Sequence, residues 1–264
     1  MFINNKSEIL DLDFFMHPTT DSTFVSGTDN YLFLKNPNNL KSNWFPECKE
    51  EEINNFNFRS DNFKKNHEGL HVLFSGCSNT SGQGLYKKEM WARIVLEKIN
   101  NNSGYFNLSI PGTSIINQIA DIFKYCNAYG NPKAIFFNMP NLHRFYYYKK
   151  DILRHGHYNK KALPVMKILI FQYYFMLEQY CKTNNIQLYS FSWNKQTEDF
   201  ISSHFKETFY PINEDDILNF VYEYKEKTNN LISINTKDGH FGVAYNLYWA
   251  DFIYNKYLEQ NQNL

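Results

Sequence analysis

Short apolar runs alternate with longer amphipathic stretches from about residue 69 onward. Leu70, His71, Val72, Leu73 and Phe74 form a compact run that stops at Ser75 and Gly76, the pattern of a buried strand. Tyr86 to Ile99 places Met90, Trp91, Ile94, Val95 and Ile99 near helical spacing. Tyr105 to Ile110 reads as a second strand, halted by Pro111 and Gly112. Thr113 to Tyr129 is helical, with Ile115, Ile116, Ile119, Ile122 and Phe123 on one side. Ala134 to Phe137 is a third strand, followed by a polar, aromatic loop. A long helix is then expected over about Ala162 to Thr183 and a strand over Ile186 to Phe191. Helical stretches at about Thr197–Phe205 and Glu214–Lys227 precede a closing helix from about Val243 to Leu258. Strands separated by helices of this length need crossover connections. They predict a mostly parallel sheet with helices on both faces.

Residues 1 to about 68 lack that alternation. They hold turns at His17–Pro18 and Asn36–Asn39, an acidic cluster from Glu47 to Glu52, and one short hairpin expected around Tyr31–Leu34. The chain therefore divides into an N-terminal extension, 1–68, that wraps the domain or docks a protein partner, and an α/β domain, 69–264.

Composition narrows the classes. At 43% hydrophobic and 18% aromatic the chain has ample material for a core, which excludes wholesale disorder. Lys+Arg and Asp+Glu both number 27, whereas a dedicated nucleic-acid binder carries a basic excess. No nucleic-acid partner is expected. The opening MFINNKSEILDLDFF has no apolar run of signal-peptide length, so the expected location is cytoplasmic or within an assembled particle. The most apolar stretch, Ala162 to Cys181, is interrupted by Lys167, Gln172, Glu178 and Gln179, which suits a buried helix better than a membrane span. Cys48, Cys77, Cys126 and Cys181 form no CxxC pair, which argues against a zinc ribbon or a disulfide scaffold.

In a parallel sheet the ligand sits at the carboxyl ends of the strands, so chemistry is sought in the loops that follow them. After the first strand comes Ser75, Gly76, Cys77, Ser78, Asn79, Thr80, a small-residue turn holding two nucleophiles and lacking the GK[ST] of a P-loop. After the second comes Pro111, Gly112, Thr113, Ser114, where Gly112 precedes a helix start able to donate N–H groups to an oxyanion. Thr113 or Ser114 as an ordinary N-cap is compatible with that reading. The third strand ends in Asn138, Met139, Pro140, Asn141, and either amide is a second donor or a turn residue. Asp238, Gly239 and His240 stand just before the last helix, a base with its orienting carboxylate or an Asp-Gly turn with an incidental histidine.

A nucleophile after strand one, donors after strands two and three, and a His/Asp pair before the final helix resemble the SGNH (GDSL-type) hydrolase superfamily. Gly76 to Thr80 is similar to its first block, Asn107 to Gly112 to its second, and Asp238 to Ala250 to its last. Three departures stand out. Cys77 replaces the usual Asp, Asn138 to Asn141 replaces Gly-x-Asn-Asp, and Asp238 precedes His240 by two residues instead of three. The resemblance covers about 69–260 and implies a three-layer α/β/α flavodoxin-like fold. It implies Ser78 as nucleophile, His240 as base and Asp238 as its partner. The oxyanion hole falls to the Ser78 and Gly112 N–H groups with Asn141, Asn138 being the alternative. Cys77 is expected to point to the other side of the turn.

The implied activity is a serine esterase releasing O-acetyl or another short acyl group from a carbohydrate, with no cofactor and no metal. Two alternatives share the fold: a non-catalytic binding or structural module of a larger assembly such as a virion, and an O-acyltransferase. Arg144, Tyr146 and Tyr147 belong to a ring- and cation-rich segment expected as a substrate wall, since aromatic faces suit sugars. A nucleic-acid stacking platform and a solvated loop compete with that reading. His155 and His157 lack a third ligand nearby, so no metal is placed on them.

Overall fold

The structure is a computed structural model that describes residues 54, 58–65, 70–82, 85–99, 104–149, 152–157, 162–228 and 240–261. The expected hairpin at Tyr31–Leu34 and the acidic cluster at Glu47–Glu52 lie outside these residues. In chain order the strands are β1 (Val72–Gly76), β2 (Phe106–Asn107), β3 (Ala134–Met139), β4 (Arg144–Lys149), β5 (Ile152–His157) and β6 (Gln187–Ser192). The helices are α1 (Ser78–Ser81), α2 (Trp91–Lys98), α3 (Ile115–Tyr129), α4 (Leu163–Thr183), α5 (Lys195–Ser202), α6 (Glu214–Thr228) and α7 (Val243–Asn261).

The main sheet has the order β2-β1-β3-β6, and every pairing in it is parallel. Beyond β6 the chain adds one more rung. Ser190 N–H donates to Thr208 O (2.9 Å) and Tyr210 N–H to Ser190 O (2.8 Å), a single parallel bridge. The spatial order is therefore that of a flavodoxin-like sheet with its last strand reduced to a bridge, and the switch point falls between β1 and β3. The β2 ladder is shorter than the predicted strand because Asn107 Oδ1 takes the Ser109 N–H (3.0 Å). Leu108 and Ile110 N–H groups still reach Phe74 O and Gly76 O, so the chain follows β1 to its end.

Alternation along the strands feeds two cores. Leu73, Ile135, Phe137, Met139 and Leu188 face α3 and α4, while Val72, Phe74, Phe136, Tyr189 and Phe191 face α2 and α7. On the second face Phe74, Phe136 and Tyr189 are in register across three strands and stack at 5.2 and 5.1 Å. Each such pair adds about 0.5–1.5 kcal/mol beyond its buried area.

Two expectations change. The segment after β3 is not a loop: β4 and β5 pair antiparallel, with Arg144 opposite His157 and Tyr146 opposite His155. Its run of aromatic residues suits a strand, and pairing satisfies the backbone that a loop would leave to water. Helix α4, expected to be buried, is buried on one face only. Met166, Ile170, Tyr174, Leu177 and Cys181 pack inward, while Val165, Ile168, Phe175 and Met176 are exposed. Among the described residues no helix is long and apolar enough to cross a membrane.

Part of the N-terminal extension packs along the outer edge of β2. Asp61 N–H donates to Tyr105 O (2.8 Å), Tyr105 N–H returns to Asp61 Oδ2 (2.7 Å), and Asn107 N–H donates to Ser60 Oγ (3.0 Å). These bonds occupy groups that an open edge strand would offer to another chain. Phe63 meets Tyr125 edge-on at 5.1 Å and anchors the segment to α3.

Cys77, Cys126 and Cys181 are free thiols and all are buried. Burial pushes the Cys126 thiol up to about 12 and raises that of Cys181 as well. Since the thiolate is the reactive form, iodoacetamide at pH 8 should leave both cysteines unmodified in the native protein and alkylate them after denaturation. Mass spectrometry of native and urea-treated samples checks this. Rapid native alkylation of Cys126 would contradict it.

Candidate active site

The end of β1 is where the nucleophile candidates lie. Gly76 has φ +155, and a Cβ there would come within 2.2 Å of Thr80 Oγ1 and 2.7 Å of Asn138 O. Only glycine lets the strand turn this tightly into α1. Cys77, in extended conformation, is the N-cap residue of α1, and Ser78 is the first helical residue. Ser78 is 4% exposed and Cys77 fully buried. Ser78 Oγ lies 4.0 Å from Cys77 Sγ and donates toward it, so the two side chains meet instead of pointing to opposite sides of the turn.

A buried glutamine braces this turn. Gln118 Oε1, from α3, accepts from both Ser75 Oγ and Gly76 N–H, while its Nε2 donates to Thr113 Oγ1 (3.4 Å). One side chain thus joins the end of β1 to the loop after β2. That loop is a turn closed by Thr113 N–H to Ile110 O (3.2 Å), with Pro111 second and Gly112, φ +76, third. Pro followed by a positive-φ glycine is the signature of a type II turn. The bond that closes it is made by Thr113, so the Gly112 N–H is not spent on the turn. Helix α3 then begins under its own cap, Ser114 Oγ accepting from Asn117 N–H (3.2 Å). Asn107 is structural: its Nδ2 donates to Thr80 O (3.2 Å) and to the Tyr105 hydroxyl (2.7 Å).

Asn138 shares a rung with Gly76 and Phe191 in the middle of the sheet. It is fully buried, and neither its Nδ2 nor its Oδ1 has a hydrogen-bond partner. Asn141, partly exposed, behaves differently. Its Oδ1 accepts the His143 N–H (2.8 Å), which fixes the amide and leaves its NH2 to donate elsewhere. The loop itself is pinned from α5: Thr197 Oγ1 accepts Leu142 N–H (2.9 Å) and donates to Pro140 O (3.2 Å).

His240 is partly buried just ahead of α7. Its neighbour Phe241 packs 5.9 Å from Trp193, and the Arg144 guanidinium lies 5.6 Å over the other ring of that pair, Trp193. Trp193 follows the last residue of β6, so this chain of contacts brings the C-terminal block to the carboxyl edge of the sheet. Asn246 holds the block there. Its Nδ2 donates to Gly242 O (3.0 Å) and Phe241 O (3.3 Å), and its Oδ1 caps α2 by accepting Trp91 N–H (3.1 Å). Asp238 and the side chains of Tyr146 and Tyr147 lie outside the described residues.

Ser78, Gly112 and Asn138 are thus tied to one edge through shared partners, with Asn141 and His240 on later loops and Arg144 at the start of β4. Gln118, Thr197 and Asn246 were not legible as site residues: a lone polar residue in an amphipathic helix signals nothing until its partner is known. Arg59 is of the same kind. It comes from the extension, is 9% exposed, and its Nη1 donates to Gly82 O (2.8 Å) and Ser81 O (3.4 Å) at the end of α1. Arg59→Ala should cost about 2 kcal/mol in urea unfolding, because hydrogen bonds from a charged donor are lost. If α1 carries the nucleophile, kcat should fall about tenfold through misplacement while KM holds. An unchanged unfolding midpoint would remove Arg59 from this role.

Among the described residues no three His, Cys, Asp or Glu side chains gather as a metal site. A cleft of about 710 Å³ lies between Leu142, His143, Leu163, Lys167, Gln196 and Phe200. Neither Ser78 nor His240 lines it, so it is not where the nucleophile candidates act. No protein-family model and no curated protein matches the chain. Among solved structures the chain is similar to the psychrotrophic esterase EstA from Pseudoalteromonas sp., determined inhibited by monoethylphosphonate. The two are 11% identical with a TM-score of 0.45, over 72% of this chain and 98% of that one. A superposition of that size assigns no activity and no residue role here.

Proposed function

We propose that the chain is a serine esterase of SGNH type that removes a short acyl group, such as acetyl, from a carbohydrate. Ser78 Oγ attacks the ester carbonyl carbon while His240 accepts the hydroxyl proton and Asp238 holds the imidazole. The carbonyl electron pair moves onto oxygen, where the Ser78 and Gly112 N–H groups and the Asn141 amide receive it. Collapse expels the alcohol, which takes the proton from His240. Water, deprotonated by the same imidazole, then releases the acid and restores Ser78. Asn141 suits the oxyanion better than Asn138, because its amide is oriented by His143 N–H and partly open.

One observation carries the reading. Ser78 opens a helix immediately after β1, at the switch point of the β2-β1-β3-β6 sheet, beside the loop that follows β3. Crevices at switch points are where such sheets bind ligands, and a strand-turn-helix is how a nucleophile is presented there. Buried polar atoms without a protein partner support it. Thr80 Oγ1, Ser109 Oγ and both amide atoms of Asn138 lie at the same edge. Such groups are uncommon in native interiors and need an explanation.

A binding module without turnover is favoured by a different observation, the 4% exposure of Ser78. A carbonyl reaches that hydroxyl only if its cover moves. The two readings separate with a fluorophosphonate probe, which reacts with activated serines. Esterase chemistry predicts one adduct, mapped by peptide sequencing to Ser78. An adduct on Cys77 would reassign the nucleophile, and an unlabelled folded protein would favour the binding module.

A further inference from the structure

We propose that Arg144, backed by Trp193, recognises a carboxylate on the substrate, so that the ester cleaved is borne on an acidic sugar. The proposal rests on the esterase reading for its reaction, and on separate observations for its anion. Arg144 Nη1 is enclosed and has no hydrogen-bond acceptor, and the same holds for Trp193 Nε1 beside it. Both groups only donate, and the guanidinium is a cation.

The other arginines with described side chains are matched. Arg93 pairs with Glu97 at 3.0 Å, and Arg59 donates to two carbonyls. No described carboxylate pairs with Arg144. Trp193 lies under it and packs in turn on Phe241, while the neighbouring His143 is engaged by Gln196 (2.7 Å). A cation held on an aromatic ring, partly desolvated and without an acceptor, is costly unless a ligand completes it. Two neighbouring donors call for an acceptor-rich partner, and the planar guanidinium fork matches a carboxylate best.

Position links this anion to the reaction. Arg144 N–H donates to Asn141 O (3.0 Å), so the cation belongs to the same turn as the proposed oxyanion amide. A carboxylate held there lies beside the reacting carbonyl instead of in the cleft around Lys167.

The test compares 4-acetoxybenzoate with its methyl ester, which share the acetyl group and differ in charge. Arg144→Gln should lower kcat/KM for the anionic ester by about 10–100-fold, mainly through KM, and change the neutral ester less than about threefold. Arg144→Lys should restore part of the loss, and raised salt should weaken the preference. Equal losses on both esters, or none on the anionic one, would overturn the proposal. Calorimetry of the Ser78→Ala protein with D-glucuronate and with D-glucose separates this outcome from failure of the esterase reading. Binding of glucuronate that Arg144→Gln abolishes supports the anion site even without turnover. Equal binding of the two sugars refutes it.

Discussion

Ser78→Ala should lower hydrolysis of p-nitrophenyl acetate by about four to six orders of magnitude, the scale on which a triad nucleophile acts. His240→Ala should fall to a similar level, and the double variant should be no worse, because in the proposed mechanism the two residues serve one proton transfer. Asp238→Ala should cost less, since the part proposed for it is orientation. The sign of the pH dependence follows from the proposed chemistry: only neutral imidazole accepts the serine proton, so the rate should rise with pH. Folding should be nearly unaffected by Ser78→Ala, because the hydroxyl's hydrogen-bond partner is a thiol 4.0 Å away. Stopped-flow kinetics with circular dichroism checks both halves. Wild-type rates in Ser78→Ala, with activity lost in Cys77→Ala, would move the nucleophile by one residue.

Gly76→Ala should be strongly destabilising, because the carboxyl edge of the sheet has no room there for a methyl. The new Cβ would sit 2.2 Å from Thr80 Oγ1, 2.9 Å from Thr80 Cβ and 2.7 Å from Asn138 O, at φ +155. The last of these is backbone in the central strand and cannot swing away. Overpacking of this kind costs about 1–3 kcal/mol and more when backbone must move, so about 3 kcal/mol is expected. Thr80→Ala removes the worst contact together with a buried hydroxyl that has no partner, and should by itself be close to neutral. The double variant should therefore regain part of the stability and not all, because the Asn138 carbonyl and the Cβ at position 80 remain. Urea melts of the four proteins decide it. Full recovery in Gly76→Ala/Thr80→Ala would show that the strand contact is soft.

The two substitutions probe different kinds of information. Gly76 and Ser78 were legible because a turn from strand to helix needs small residues locally, and local needs leave local marks. The same holds for the type II turn at Pro111–Gly112 and for the Ser114 cap. Gln118, Thr197 and Asn246 leave no such mark. Each bridges segments far apart in the chain, as when Asn246 reaches Trp91 across 155 positions.

Periodicity along the chain was enough to place β1, β3, β6 and the long helices in order and to predict a parallel sheet. A period of 2 or 3.6 is a property of one segment at a time, and helical crossovers between strands are the connections that parallel pairing requires. The sequence also determined which loops hold candidate chemistry. Tertiary structure decided the rest. It turned the aromatic loop after β3 into the β4–β5 hairpin, since pairing depends on a partner strand. It left half of α4 exposed, because apolar composition does not say which neighbours are present to cover it. It placed Arg144 over Trp193, with no acceptor for Nη1 among the described residues. Those facts depend on distances between residues that only the folded chain brings together.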